Sequence, residues 1–134
     1  TCDQLCGTID LLPTIASLTK TPLPSDKKID GLDISKLLTT DDKTPRNEFV
    51  YYTSRGDIQG LRQGKHKLLV NGPRNKKRNS KAKAEVMLFD LEADLGEKNN
   101  LAESKPEVVA KLKARMLELD AQIAKEARQP WLKE

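Results

Sequence analysis

The stretch 86–102 reads VMLFDLEADLGEKNNLA. Val86-Met87-Leu88-Phe89 is an apolar run of strand length, and it passes into Asp90-Leu91-Glu92. A turn is predicted at Gly96, followed by Glu97, Asn99, Asn100 and Leu101, residue types that favour turns and chain reversals. The hydrophobic period then changes. Val108, Leu112, Met116, Leu119, Ile123 and Ala127 recur at steps of three and four, which predicts one face of a helix of about six turns. Ser104-Lys105-Pro106-Glu107 fits a capping box with proline in the first turn, and Pro130 closes the helix.

Upstream of that stretch the period is that of strands. Residues 48–53 (EFVYYT) are aromatic and β-branched, bordered by Asn47 and by Ser54-Arg55-Gly56. Residues 58–62 and 66–70 are two further strands, and Gln63-Gly64-Lys65 between them is a tight turn using glycine for positive φ. A long polar connection over 71–84 leads to the fourth strand at 86–91. The predicted fold class is α+β: a four-stranded antiparallel sheet packed against a long C-terminal helix, with a short N-terminal helix.

That first helix is placed by Asp10 as N-cap ahead of Leu11-Leu12-Pro13-Thr14-Ile15-Ala16-Ser17-Leu18. Leu11, Ile15 and Leu18 fall at helical spacing, predicting a helix buried on that side. Thr21-Pro22-Leu23-Pro24 stops it, and a polar linker carrying Ile29-Asp30-Gly31-Leu32-Asp33 follows, with Ile34, Leu37 and Leu38 anchoring one turn. The boundary between the N-terminal segment and the sheet domain is placed at 46/47.

The chain has 134 residues, 33% of them charged and 37% hydrophobic, with five aromatic side chains and a mean hydropathy of −0.64. Such a composition supports only a modest core, or a subdomain that completes its burial against a partner. No stretch approaches the roughly 18–20 apolar residues of a membrane span, so no membrane partner is expected. The formal net charge is +4, yet Arg74, Lys76, Lys77, Arg78, Lys81 and Lys83 form a basic run with no acid inside it. Basicity therefore belongs to one connection and not to the domain. Cys2 and Cys6 stand four apart; incidental thiols, a disulfide or a metal pair remain open.

Four stretches in one order resemble the sulfatases, in particular the arylsulfatase and N-acetylgalactosamine-sulfatase type of the alkaline-phosphatase-like superfamily. Residues 88–102 resemble L-[YF]-D-L-x-x-D-P-x-E-x-x-N-L-A. Asp10-Leu11-Leu12-Pro13-Thr14 is similar to the D-[LI]-L-P-T helix start of the large domain. Residues 29–38 resemble x-D-G-x-D-[LI]-x-x-L-L, and residues 61–68 resemble V-R-x-G-x-[WY]-K-L. Leu95 replaces the usual proline and His66 the usual Trp or Tyr.

The resemblance implies that residues 1–46 are the end of a catalytic-domain helix and a linker, and 47–134 a C-terminal subdomain. It implies a partner in the catalytic α/β domain of the same polypeptide and a sulfated ester as that protein's substrate. It also implies calcium and a formylglycine nucleophile in the parent, and a parent that is exported (periplasmic or extracellular) or lysosomal. The C-x-[PA]-x-R element that carries formylglycine is matched neither at Cys2 nor at Cys6, so no catalytic residue, no metal ligand and no cofactor is assigned to this chain, and the isolated chain is expected to be inactive.

The residues present suggest one binding candidate. A run of like charges attracts polyanions over a Debye length of about 8–10 Å, so Arg74, Lys76, Lys77 and Arg78, with His66, are the expected rim for sulfated substrate. For each, the plainer reading is a solvated connection or, for His66, a packing side chain on a strand. The alternative function is a small basic module binding polyanions or nucleic acid. No aromatic residue interleaves with the basic run, so the stacking expected for single strands is missing and nucleic acid is not favoured.

Overall fold

The computed structural model describes residues 2–26, 28–40, 42–71 and 85–126. The chain divides into two units, Thr1–Glu48 and Phe49–Glu134.

In the first unit a single 3-10 turn, Thr8–Asp10, runs into helix α1, Leu11–Thr19. Thr14 is fully enclosed, its hydroxyl donating to the Asp10 carbonyl at 2.6 Å and accepting from the Ile34 amide at 3.0 Å. The helix ends at Lys20, whose left-handed backbone (φ 56°) lets its N–H close on the Ala16 and Ser17 carbonyls. Helix α2, Ser35–Thr39, is the anchored turn expected in the linker, held by the buried Ile34.

The expected burial of Leu11, Ile15 and Leu18 is reversed. These three and Leu12 are each 50–57% exposed, while Pro13, Thr14 and Ala16 are buried. The linker crosses the other side of α1 because Gly31 lies against the Ile9 carbonyl; a Cβ there would stand 2.0 Å from that oxygen.

In the second unit the strands are β1 (Glu48–Tyr52), β2 (Ile58–Gln63), β3 (His66–Asn71) and β4 (Glu85–Asp90), in the sheet order β1-β2-β3-β4. Between β2 and β3 the meander follows from a two-residue turn. Gln63 pairs with His66 across Gly64 and Lys65, and Gly64 takes φ 55° as a two-residue hairpin demands. The β3–β4 register sets Leu68 opposite Leu88 and Val70 opposite Val86. Because strand side chains alternate, Leu61, Leu68 and Leu88 share one face.

Helix α3, Pro106–Glu126, lies across that face. Leu112 and Met116 close over Leu61, Leu68 and Leu88, with Val108, Val109 and Leu119 around them. This is the expected α+β arrangement. The start of α3 differs in detail: the Ser104 hydroxyl donates to the Leu101 carbonyl at 3.1 Å, and Lys105 accepts the first helical bond, from Val109 N–H.

Leu68 has no exposed surface. Leu68→Ala is expected to cost about 2–5 kcal/mol of stability through lost transfer energy and a residual cavity, measured by urea denaturation.

Candidate functional site

The four basic residues expected at a substrate rim, Arg74, Lys76, Lys77 and Arg78, lie outside the described residues. His66 lies within them. It opens β3, opposite Gln63 on one side and Asp90 on the other, whereas Asn71, where the basic run leaves the sheet, closes the same strand. Five residues of strand separate these ends by about 17 Å. The His66 ring is half-buried, and its Nε2 is enclosed with no hydrogen-bond partner among the described residues.

Around His66 the polar groups tie the hairpin to the end of β4. Lys65 donates from Nζ to Asp90 Oδ2 at 2.8 Å, and its carbonyl accepts from Leu91 N–H at 2.8 Å. The second Asp90 oxygen accepts from the amides of Glu92 and Ala93. The Lys65 ammonium holds the Asp90 carboxyl below its ordinary range against the opposing push of burial, with the two amides adding to the lowering, and Lys65 is raised in turn by that hydrogen bond.

Beyond Asp90 the chain turns on Asp94, whose carboxylate accepts from the amides of Lys98 and Asn99, each at 2.7 Å. The left-handed residue of this turn is Glu97 (φ 53°) and not Gly96. Its carboxylate pairs with Lys67 Nζ at 2.6 Å, and the same ammonium stands 5.0 Å above the Tyr51 ring. Asn100 then works as a backbone substitute: its Oδ1 accepts from Leu88 and Ala102 N–H, and its Nδ2 donates to the Val86 carbonyl. With Leu101 N–H on the Leu88 carbonyl at 2.7 Å, this satisfies part of the open edge of β4.

In the first unit Asp10 holds the expected N-cap position of α1, but its side chain is a tie and makes no capping bond to the helix. Its carboxylate, without exposed surface, accepts from Gly7 N–H at 2.9 Å, Leu32 N–H at 2.8 Å and the Arg46 guanidinium. Burial pushes this carboxyl up, but Arg46 and the two amides together hold it below its ordinary value of 3.8.

Asp10, Asp90, Asp94 and Glu97 are thus committed to lysine, arginine or backbone amides. Among the described residues no three His, Cys, Asp or Glu side chains gather as a metal site. A hard cation needs several convergent oxygen ligands, and Asp10, Asp90 and Glu97 each face a protein cation instead. Cys2 and Cys6 are exposed free thiols in a sequence setting unlike the formylglycine element. Among the described residues, then, the carboxylates do not gather into the oxygen cage a hard cation needs.

Local pattern missed Asn100, Lys67 and Glu97. An asparagine two residues before Ala102 was readable as a turn former, but its pairing with β4 depends on tertiary placement; Lys67 and Glu97 are thirty residues apart.

The combination of meander, covering helix and the 86–102 turn is that of a sulfatase C-terminal subdomain, and the chain belongs with the sulfatases in sequence as well as in fold. It is 33% identical to human arylsulfatase A over 90% of its own length and 28% of that protein's. It is 32% identical to bovine arylsulfatase A over 78% of its length and 24% of the relative's. Among solved structures, a Bacteroides thetaiotaomicron protein described under the metabolism of multiple glycosaminoglycans matches 84% of this chain and 24% of its own, with a TM-score of 0.65 and 27% identity. A Pseudoalteromonas sulfatase shares the fold over 95% of this chain and 28% of its own, with a TM-score of 0.69 at 22% identity. The chain thus spans about a quarter of the length of the curated arylsulfatases it matches. No family model matches it.

The Asp10–Arg46 tie has a defined acid dependence. Since the folded carboxyl lies below 3.8, its contribution is complete above that ordinary value and is lost as pH falls through the folded one. Arg46→Met leaves a buried carboxylate without its cation. It is expected to cost about 3–5 kcal/mol at neutral pH and, by letting burial raise the folded carboxyl back toward or above 3.8, to shrink or reverse the acid loss, read from urea titrations of the Leu32 amide signal.

Proposed function

We propose that this chain is the C-terminal segment of an enzyme that hydrolyses a sulfate ester to an alcohol and inorganic sulfate. In that enzyme residues 1–46 end the catalytic domain and link it to the subdomain at 47–134. The catalytic α/β domain of the same polypeptide supplies the formylglycine and the calcium, and this segment braces it. The observation that carries the reading is the match to arylsulfatase A over 90% of this chain and 28% of that protein.

A physical feature supports the brace. Leu11, Leu12, Ile15 and Leu18 present a contiguous apolar face on α1, and exposed apolar patches of this kind mark surfaces that are covered by another element. The isolated chain, lacking nucleophile and cation, releases no sulfate from an aryl sulfate in the presence of calcium; turnover specific to this chain would overturn the reading. The parent is placed outside the cytoplasm or in the lysosome, in keeping with the family resemblance. No described helix is long and apolar enough to cross a membrane.

Arg74, Lys76, Lys77 and Arg78, with His66, are proposed to hold a long sulfated polymer at the cleft rim. Neutralising all four in the complete enzyme is expected to raise KM several-fold on a sulfated polysaccharide, leaving kcat and the KM for a small aryl sulfate unchanged. An unchanged KM on the polymer removes the rim role. The second reading, a basic module for nucleic acid, predicts steeply salt-dependent DNA binding that sulfated sugars do not compete.

A further inference from the structure

Asp30 is the only aspartate in the chain that is followed by glycine. At such a pair the glycine nitrogen can reach the aspartyl side-chain carboxyl, because no Cβ stands beside it and the backbone turns freely. A fold permits that attack where carboxyl and amide are both unengaged and nothing rigid holds the bond between them. The Asp30 side chain is exposed, and among the described residues neither its carboxylate nor the Gly31 N–H has a hydrogen-bond partner. The Asp30 carbonyl accepts an exposed bond from Arg46 Nη2 at 3.0 Å, a modest restraint in water.

The glycine cannot be exchanged. A Cβ at residue 31 would stand 2.0 Å from the Ile9 carbonyl oxygen and 2.8 Å from its carbon, and both are backbone atoms. The close approach that carries the linker across α1 therefore fixes a labile neighbour for Asp30.

We propose that Asp30 is a modification site, at which the chain converts spontaneously to isoaspartate with water as the only co-reactant. The Gly31 nitrogen bonds to Cγ of the protonated Asp30 carboxyl, whose hydroxyl leaves with the amide hydrogen as water, closing a succinimide ring. A second water then opens the ring. Breaking the bond from nitrogen to Cγ restores aspartate; breaking the bond from nitrogen to the former backbone carbonyl carbon gives isoaspartate.

The product acts on the Asp10–Arg46 tie. In isoaspartate the main chain gains one methylene, and the former carbonyl, the group beside Arg46, becomes a carboxylate. Arg46 then faces a second anion in place of a neutral oxygen, and charge-assisted hydrogen bonds are roughly twice as strong as neutral ones. The added methylene also lies two residues before Leu32, whose N–H reaches the Asp10 carboxylate at 2.8 Å. Asp30 thus ages into a competitor for the cation that Asp10 depends on. This chemistry belongs to the chain itself and does not rest on the sulfatase reading.

The test is incubation of the folded chain in oxygen-18 water at mildly acidic and neutral pH, at body temperature over several weeks, then tryptic digestion in ordinary water. The peptide 29–36 carries Asp30 together with Asp33, which serves as reference because its follower, Ile34, is buried and β-branched. Heavy oxygen is expected at Asp30 and not at Asp33, with a second chromatographic form of the peptide, and the urea midpoint of the chain should fall as that form accumulates. Asp30→Glu would have to close a larger ring; at this exposed position it should fold as the wild type and lose both the label and the drift in stability. The free peptide 29–36, which should take up label, establishes the sensitivity of the assay. No label at Asp30 in the folded chain overturns the site. Label without a loss of urea stability relative to Asp30→Glu overturns its action on the tie.

Discussion

Everything in the second unit depends on how β4 ends. This strand is an edge of the sheet and also the last strand before the helix that must cover the sheet. Its open edge needs hydrogen-bond partners, and its chain must reverse within a few residues to bring Leu112 and Met116 over Leu61, Leu68 and Leu88. Both demands are met by the same short turn. Asp90 and Asp94 gather the amides of the reversal, and Asn100 then lies along the edge as a surrogate strand residue. An unpaired buried amide costs roughly 1–3 kcal/mol, so the polar residues between 90 and 100 secure the covering of the apolar core.

The same commitment explains why the described residues hold chemistry in reserve so sparingly. A carboxylate that already faces Lys65, Lys67 or Arg46 is neither a free base nor a free ligand. Its partners lower its proton affinity and fix its direction, which suits a fastener and not a proton carrier. The polar order of these residues is that of a framework held together by its own ion pairs and amide contacts.

Period and turn chemistry made the second unit legible. All four strands and the long helix fall within a residue or two of their expected limits, because meander turns and the helical repeat are local signals. Where the reading differed, a distant contact had prevailed over a local preference. Asp10 has the composition of an N-cap but answers to Arg46 and Leu32. The turn was placed at Gly96, and within it Glu97 takes the left-handed conformation, with Lys67 holding its side chain. Leu11, Ile15 and Leu18 were identified as an apolar face, but spacing alone does not say whether the chain itself covers it. The basic run was visible as charge without any indication of shape.

The order of elements along the chain also bears on synthesis. The sheet is built from strands that follow one another in sequence, so it can pair as it emerges, but the helix that roofs it comes later in the sequence. While α3 is still being made, the face bearing Leu61, Leu68 and Leu88 stands open to water beside an unfinished edge, a combination that invites association with other nascent chains. The turn at 90–100 shortens that interval, since it aims the helix at its site as soon as its first residues appear. A premature stop within α3 would therefore remove the roof and leave the face bearing Leu61, Leu68 and Leu88 open to water.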